Sequence, residues 1–586
     1  MSLAQKPTRA SDKSFTEIMR KTIFLILLTT VCVLSLAAQL PKTGHGWIEF
    51  RSFHYEGSVP ESAILRDAQR QYVNPILAGF YPDPSIVRTD DDYYLVNSSF
   101  SWYPGVPIFH SRDLVNWTQI GHLLDRPSQL PLKGAGVSRG IFAPTIRHHN
   151  GLFYMITTNV SEGGNFYVTA RNPAGPWSDP VPLPEIDGID PSFFFDDDGH
   201  AYVVHNGPPP ENKALYSGHR AIWLFPFDEK AGKISGPGKI IVNGGTDISK
   251  QPVWIEGPHL LKHGEYYYLI AAEGGTEDRH SEVVFRSKAV TGPYEPYSGN
   301  PILTQRTLPD GRSDPVTSTG HADFVETQKG DWWAVFLGCQ PYRDDFFNTG
   351  RQTFMLPVKW VDGWPLILNA GESVPLVVDK PALKTDAPPA IPTHGTFSWT
   401  DTFREERLPY VYNTLRTPGE AWYRLDGKSG SLFIQPRADD LSSTGVPSLI
   451  AHRQQHANFS ASVDLIFQAD DLASDAGLVA FQNETHWYFL GVRLTRDAAN
   501  KNPHRTLFLE KSNSERNSVA SLPLASNLGK VTLKVNGRGA MYRFSFLTPG
   551  GKWQQIGEDQ DGTILSTKTA GGFVGTYLGM FARSPK

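Results

Sequence analysis

Four residues that head repeated segments of this chain carry side chains suited to proton transfer: Asp83, Asp190, Glu256 and His321. Asp83 opens DPSIVRTDDDYYLVNSS, Asp190 opens DPSFFFDDDGHAYVVHN, Glu256 opens EGPHLLKHGEYYYLIAA and His321 opens HADFVETQKGDWWAVFLG. A fifth segment, APTIRHHNGLFYMITTN, begins at Ala143 and puts a methyl group in the same place. An acid before proline is by itself a common turn opener, because the residue before proline is driven to extended conformations. Three acids brought to one place are different. Each disfavours the ionised form of its neighbours, and a purely structural design avoids that. Two carboxyl groups across a pocket are what cleavage of a glycosidic bond needs: one protonates the departing oxygen, the other activates water or attacks the sugar. A third negative charge nearby holds the acid's pKa high enough for it to carry a proton near neutrality.

The elements that would position these residues repeat with them. Each segment reads as a hairpin, with turn pairs such as Asn150-Gly151 or Asp198-Gly199 between two strand-like runs. A further strand-like run ends in an aromatic residue at Trp117, Trp177 and Tyr294. Three or four strands per unit, repeated five times, is the arithmetic of a β-propeller. A linear solenoid is the alternative, but units this long and strand-rich favour ring closure. Radial repetition places equivalent residues around one axis, so Asp83, Asp190, Glu256 and His321 converge and Ala143 leaves room. Glu256 stands one position early if Pro258 is aligned with the other prolines, so its side chain enters at a different height.

Beyond a Pro-rich, polar seam the runs SLFIQ, SASVDLIFQ, GLVAFQ, HWYFLGV and TLFLEK alternate apolar and polar residues between turns, as in an antiparallel β-sandwich. The expected organisation is a signal peptide or signal anchor over 1–38, a lead-in over 39–72, a propeller over 73–375, a linker over 376–395 and a sandwich over 396–586. Lys6, Arg9, Lys13, Arg20 and Lys21 precede an apolar run from Thr22 to Ala38, with small residues at Ser35 and Ala37. That pattern predicts export, cleaved to give a secreted or periplasmic protein, or retained as a membrane anchor. Asn-x-Ser/Thr triplets at Asn97, Asn116, Asn159, Asn458 and Asn483 fit a secretory route. A net charge of −5 argues against nucleic acid as partner. Cys32 and Cys339 stand alone, which excludes an internal disulfide framework and a cysteine zinc site. Calcium at the axis or in the sandwich is left open, without a contiguous loop to bind it; Asp196-Asp197-Asp198-Gly199 reads as a hairpin turn.

The motifs Asn74-Pro75-Ile76-Leu77, Tyr81-Pro82-Asp83-Pro84-Ser85, Gly188-Ile189-Asp190-Pro191-Ser192 and Ile255-Glu256-Gly257-Pro258-His259 resemble those of glycoside hydrolase family 43. The resemblance runs from about Asn74 to Pro365 and takes in Gly140-Ile141-Phe142-Ala143-Pro144, Ala272-Glu273-Gly274-Gly275-Thr276, Gly320-His321-Ala322-Asp323 and Gly350-Arg351-Gln352-Thr353. It implies a five-bladed propeller that hydrolyses β-xylosides or α-L-arabinofuranosides with inversion and needs no cofactor. The second unit is similar to the concanavalin-like sandwich of the β-xylosidase branch, which helps close the active site. Carried over by position, the resemblance makes Asp83 the general base, Glu256 the general acid and Asp190 the residue that tunes and orients the acid. His321 matches a central histidine that sits beneath the sugar with water or a metal ion. Arg351 matches an arginine that contacts sugar and acids, and as a permanent cation it relieves their crowding. Phe100, Trp102 and Phe142 are the aromatic candidates for the pocket wall; many relatives have Trp where Phe142 stands. The expected activity is exo-hydrolysis of β-1,4-linked xylo-oligosaccharides from xylan or arabinoxylan, and of α-L-arabinofuranosides, with base and acid about 6.5–9.5 Å apart. The alternatives are an endo-arabinanase and a sugar-binding propeller without catalysis, which would have no reason to keep all three acids.

Overall fold

The five repeated segments form the innermost strands of five antiparallel sheets. A computed structural model describes residues 46–467, 474–495, 504–524 and 529–584. The stretch read above as a signal or anchor lies outside the described residues, among which no helix is long and apolar enough to cross a membrane. From axis to rim, blade 1 comprises Ser85–Thr89, Asp92–Val96, Gly105–Ser111 and Thr118–Leu124. The inner strands of blades 2 to 5 are Ile141–His149, Ile189–Phe195, Glu256–His263 and Thr317–Glu326, each followed outward by at least three more. Every inner strand touches the next, and that of blade 5 meets that of blade 1. A solenoid would leave its first and last repeats apart, so this circuit identifies a five-bladed β-propeller. The hairpin turns are where the sequence put them. Asn150 and Gly151 both take positive φ (51° and 72°), the conformation that a two-residue turn between His149 and Leu152 demands.

Side chains on a strand alternate faces, so counting by two from the head of each inner strand names a second axial layer. It consists of Ser85, Thr145, Ser192, His259 and Asp323, all buried. Arg147, two positions further along blade 2, reaches back into this layer. Its Nη1 and Nη2 donate to Asp323 Oδ2 (2.8 Å) and Oδ1 (3.1 Å), and Nη2 also donates to His259 Nδ1 at 3.0 Å. Ser85 Oγ donates to Asp323 Oδ2 at 2.7 Å. Burial works against the Asp323 anion, but Arg147, His259 and the hydrogen bonds donated by Arg147 and Ser85 together outweigh it and hold the carboxyl at about 2. A charged, hydrogen-bonded plug thus fills the axis below the mouth.

Apart from one two-stranded pair, the remaining described strands form a sandwich of a nine-stranded and an eight-stranded sheet around one apolar core that includes Phe53, Tyr55, Leu478, Tyr488 and Met580. Its assembly corrects three expectations. The lead-in over 39–72 is not a separate segment: Ile48–Ser58 is an inner strand of the nine-stranded sheet, paired with Phe397–Asp401 and Asn458–Ile466. A register shift between Phe50 and Ser52 puts buried Phe50 and Phe53 three apart, which hides the two-residue period. The linker over 376–395 is not free chain: Val377–Asp379 pairs with Gln71–Val73. Trp102 does not face the pocket. Trp102–Tyr103 forms the edge strand of the eight-stranded sheet against Thr414 and Leu415, and the Trp102 ring is wholly buried on Tyr577 at 3.6 Å.

Arg147→Met would strand the Asp323 carboxylate in the core and should cost about 3–5 kcal/mol, read as a fall in Tm. Adding Asp323→Asn should recover part of that loss; a single variant as stable as the parent would contradict the plug.

Candidate active site

The head of each inner strand has left-handed backbone: Asp83 (φ 51°), Ala143 (23°), Asp190 (56°), Gly257 (56°) and His321 (54°). In blades 2 to 5 the ladder skips at this point, between Phe142 and Thr145, Ile189 and Ser192, Glu256 and His259, and Gly320 and Asp323. Such a bulge re-aims a side chain that would otherwise stay in the strand's alternation. Non-glycine residues at positive φ are strained, and they cluster where the strain serves a site. Gly257 is therefore the repeat equivalent of the other heads, and Glu256 enters from one residue earlier, as the proline alignment implies.

The structure brings Asp83, Asp190, His321 and Arg351 together in one buried cluster beside Glu256. Asp83 Oδ2 accepts from Ser98 Oγ at 2.6 Å, and Oδ1 accepts from Arg351 Nη1 at 3.0 Å. His321 Nδ1 lies 4.0 Å from the same Oδ1. Asn97 is wholly buried and fixes the turn before Asp83 by donating to Tyr81 O and Pro82 O, both at 3.1 Å. Arg351 Nη1 also donates to Thr276 Oγ1 at 3.0 Å, so this arginine is a buried counterion and not a surface pair. Asp190 Oδ2 accepts the Gly257 N–H at 3.1 Å, a hold on the peptide that follows Glu256.

These surroundings separate the acids. Burial, then the Asp190 and Asp83 charges, push Glu256 up to about 8, with Arg351 and Arg220 opposing. The side chain keeps some water contact through the mouth, while the surrounding protein removes most of its hydration. Asp190 is also raised, by burial first and by Asp83, against His321, the Gly257 N–H and Arg351. Behind the cluster, Glu282 is wholly buried and its Oε2 accepts the Ala322 N–H at 2.9 Å, bracing the left-handed turn at His321. Burial raises this carboxyl well above the usual range.

Of the three aromatic candidates, Phe142 keeps partial exposure, whereas Phe100 is almost covered and backs it at 4.9 Å between centroids. Phe573, which the sequence reading missed, comes from the sandwich. It stacks on Phe100 at 6.2 Å, lies 5.7 Å from the Arg351 guanidinium and remains 40% exposed. Its signal is the flanking pattern Gly571-Gly572-Phe573-Val574-Gly575, a turn carrying one large aromatic. Among the described residues no group of three His, Cys, Asp or Glu side chains is placed to hold an ion. A recess of ≈ 660 Å³ between Tyr342 and Gln455 contains none of the four head residues or Arg351, and its lining mixes acids and bases without convergence. The converged carboxylates, and not that recess, mark the chemistry.

Two family models match the chain: glycosyl hydrolases family 43 over residues 72–365, and the β-xylosidase C-terminal concanavalin A-like domain over 400–586. The chain belongs to glycosyl hydrolase family 43. A xylosidase/arabinosidase of Butyrivibrio fibrisolvens is 40% identical over 87% of this chain and 95% of its own length. A non-reducing end α-L-arabinofuranosidase of Bacteroides ovatus is 36% identical over 88% and 92%. The crystal structure of a GH43_12 protein from a capybara gut metagenome has 40% identity and a TM-score of 0.85, covering 92% of this chain and 100% of that one.

This family 43 glycoside hydrolase depends on a close approach at one glycine. A Cβ at Gly257 would lie 2.9 Å from the His321 ring, in a backbone region that favours glycine. Gly257→Ala should displace His321 or Glu256, and a shift of about 1 Å costs on the order of 100-fold in kcat. Parental kcat in a folded Gly257→Ala protein would show that the contact does not position the site.

Proposed function

We propose that this enzyme removes single xylosyl or α-L-arabinofuranosyl units from the non-reducing ends of xylan- or arabinoxylan-derived oligosaccharides, with inversion. Water attacks the anomeric carbon as Asp83 takes its proton, and Glu256 gives its proton to the departing glycosidic oxygen. The bond to the leaving sugar breaks in the same displacement that forms the bond to water. Exchange with solvent then returns a proton to Glu256 and removes one from Asp83. Asp190 keeps Glu256 protonated through its negative charge and orients it through the Gly257 N–H.

The observation that carries this reading is the contrast between the two carboxyls. Glu256 is held near 8 by burial and neighbouring charge, as a proton donor at neutral pH requires. Asp83 faces an arginine and a hydroxyl that both donate to it, a setting for a proton acceptor. Exo action is supported by the plug beneath the mouth and by Phe573 at its edge, and by relatives described as a xylosidase/arabinosidase and a non-reducing end arabinofuranosidase. The basic and apolar N-terminal segments support export as the route to such polysaccharide fragments.

Because the acid must be protonated, activity should fall as pH rises through about 8. Glu256→Gln should remove that basic limb and slow oligosaccharide hydrolysis by about 10²–10⁴-fold. Unchanged rates in this variant would assign the acid elsewhere. On a ladder of xylo-oligosaccharides, and on the 4-nitrophenyl β-xyloside and α-L-arabinofuranoside, the enzyme should release one pentose at a time, of inverted configuration by proton NMR. Internal cleavage would favour an endo enzyme, retention would make Asp83 a nucleophile, and no turnover of any of these compounds would favour a sugar-binding protein.

A further inference from the structure

We infer that Trp254, on the link between blades 3 and 4, is the platform on which the leaving portion of an oligosaccharide stacks, and so a residue that sets preference for sugar aglycones. This rests on the exo-glycosidase reading above and names its leaving-group side. Trp254 lies two residues before Glu256, the group that reaches the departing oxygen, so whatever is attached to that oxygen leaves past this segment. The pairings Ile189 with Asn206, Gly207 with Ala221, and Ala221 with Asn243 put the loops after Gly207 and Asn243 at the same end of blade 3 as Asp190.

These loops and the link that follows them present an apolar surface. Leu215 (71%), Ile248 (37%), Val253 (41%) and Trp254 (37%) are four of nine exposed large hydrophobic residues among the described residues. An apolar cluster at the rim of a site marks a place where something binds. The ledge is also fixed and strained. Trp254 has φ 50°, an outlier for a bulky aromatic residue. Its N–H donates to Gly218 O at 2.9 Å, and Gly274 N–H donates to Val253 O at 2.8 Å. Thr246 N–H donates to Glu273 Oε2 at 2.9 Å, tying the same link to blade 4. Strain kept by this many holds points to a required ring position.

The Arg220 guanidinium covers Trp254 at 5.0 Å from the ring centroid, leaving the ring partly open to solvent. Arg220 Nε and Nη2 donate to Asn206 Oδ1 at 2.8 and 2.6 Å, and Asn206 Nδ2 donates to Ile255 O at 2.6 Å. Arg220 in turn feels the charges of Asp187, Asp190 and Glu256, which places the Trp254–Arg220 pair against the catalytic cup. An indole backed by a cation and open beside a proton donor offers the flat apolar surface that the C–H face of a pyranose requires. A small leaving group makes no such contact.

The test compares xylotriose with xylosyl fluoride, whose leaving group has no ring, or the arabinosyl pair if arabinose is the released sugar. The full-length enzyme is assayed alongside Trp254→Asn, which suits left-handed backbone, and Trp254→Phe, which restores a ring. Trp254→Asn should raise KM for the oligosaccharide about tenfold, the size of one lost stacking contact. Its kcat/KM on the fluoride and its basic pH limb should not change, and Trp254→Phe should recover most of the oligosaccharide KM. Equal losses on both substrates, a displaced basic limb, or no loss on either would overturn the inference. If the unmodified enzyme hydrolyses neither compound, the exo-glycosidase reading itself has failed, which is a different result from any of these.

Discussion

Side chains alternate strictly along a β-strand, and the acids of the candidate site converge because that alternation is broken at the mouth of the ring. Each of the five repeats has a left-handed residue at its head, and four of the five are not glycine. Each such residue costs on the order of 1–3 kcal/mol and persists only where its surroundings over-determine it. The surroundings are visible in each case described. Asn97 clamps the turn at Asp83, Glu282 braces His321, and the Asp190 carboxylate holds the N–H of Gly257. The same break concentrates negative charge, and Arg351 from blade 5 offsets it without bringing Glu256 back to the usual carboxylate range. Strain and crowding are thus two sides of one arrangement.

The sandwich is part of this arrangement and not a neighbour to it. Arg453, wholly buried, donates from Nε to Phe80 O at 2.7 Å and from Nη1 to Asn413 Oδ1 at 2.9 Å, so the segment before Asp83 is gripped from the sandwich. Gln455 Nε2 donates to Ala78 O at 3.0 Å in the same stretch. Phe573 places a sandwich ring over the site's arginine, and its N–H donates to Ser138 Oγ at 3.0 Å to keep it there. The pocket wall is therefore drawn from propeller and sandwich together.

What could be read from sequence divides along physical lines. The repeat located Asp83, Asp190, Glu256 and His321 because equivalent positions in a ring share a radius, and the offset of Glu256 followed from a proline. Arg147 escaped because its role depends on reaching back two positions across the axis, which no spacing announces. Trp102 misled because it follows a pocket-lining motif in the chain but pairs with Leu415, more than three hundred residues away. The N-terminal strand was hidden by its bulge, which broke the two-residue period over the few residues where it had to be read. Phe573 stood in a glycine-rich turn whose partner surface, Phe100 and Arg351, only the folded chain supplies.

The strand Ile48–Ser58 has one more implication, for the order in which the protein is made. Its partners, Phe397–Asp401 and Asn458–Ile466, emerge from the ribosome only after the whole propeller has been synthesised. The opposite sheet waits longer still, since Tyr577–Arg583 inserts between Ser448–Arg453 and Asp475–Asn483. Closing such distant pairings carries a large entropic delay, and exposed edges invite wrong partners meanwhile. The nascent chain must therefore hold this half-apolar strand in waiting while five blades assemble behind it, and the aromatic wall of the pocket forms only once Phe573 has been made.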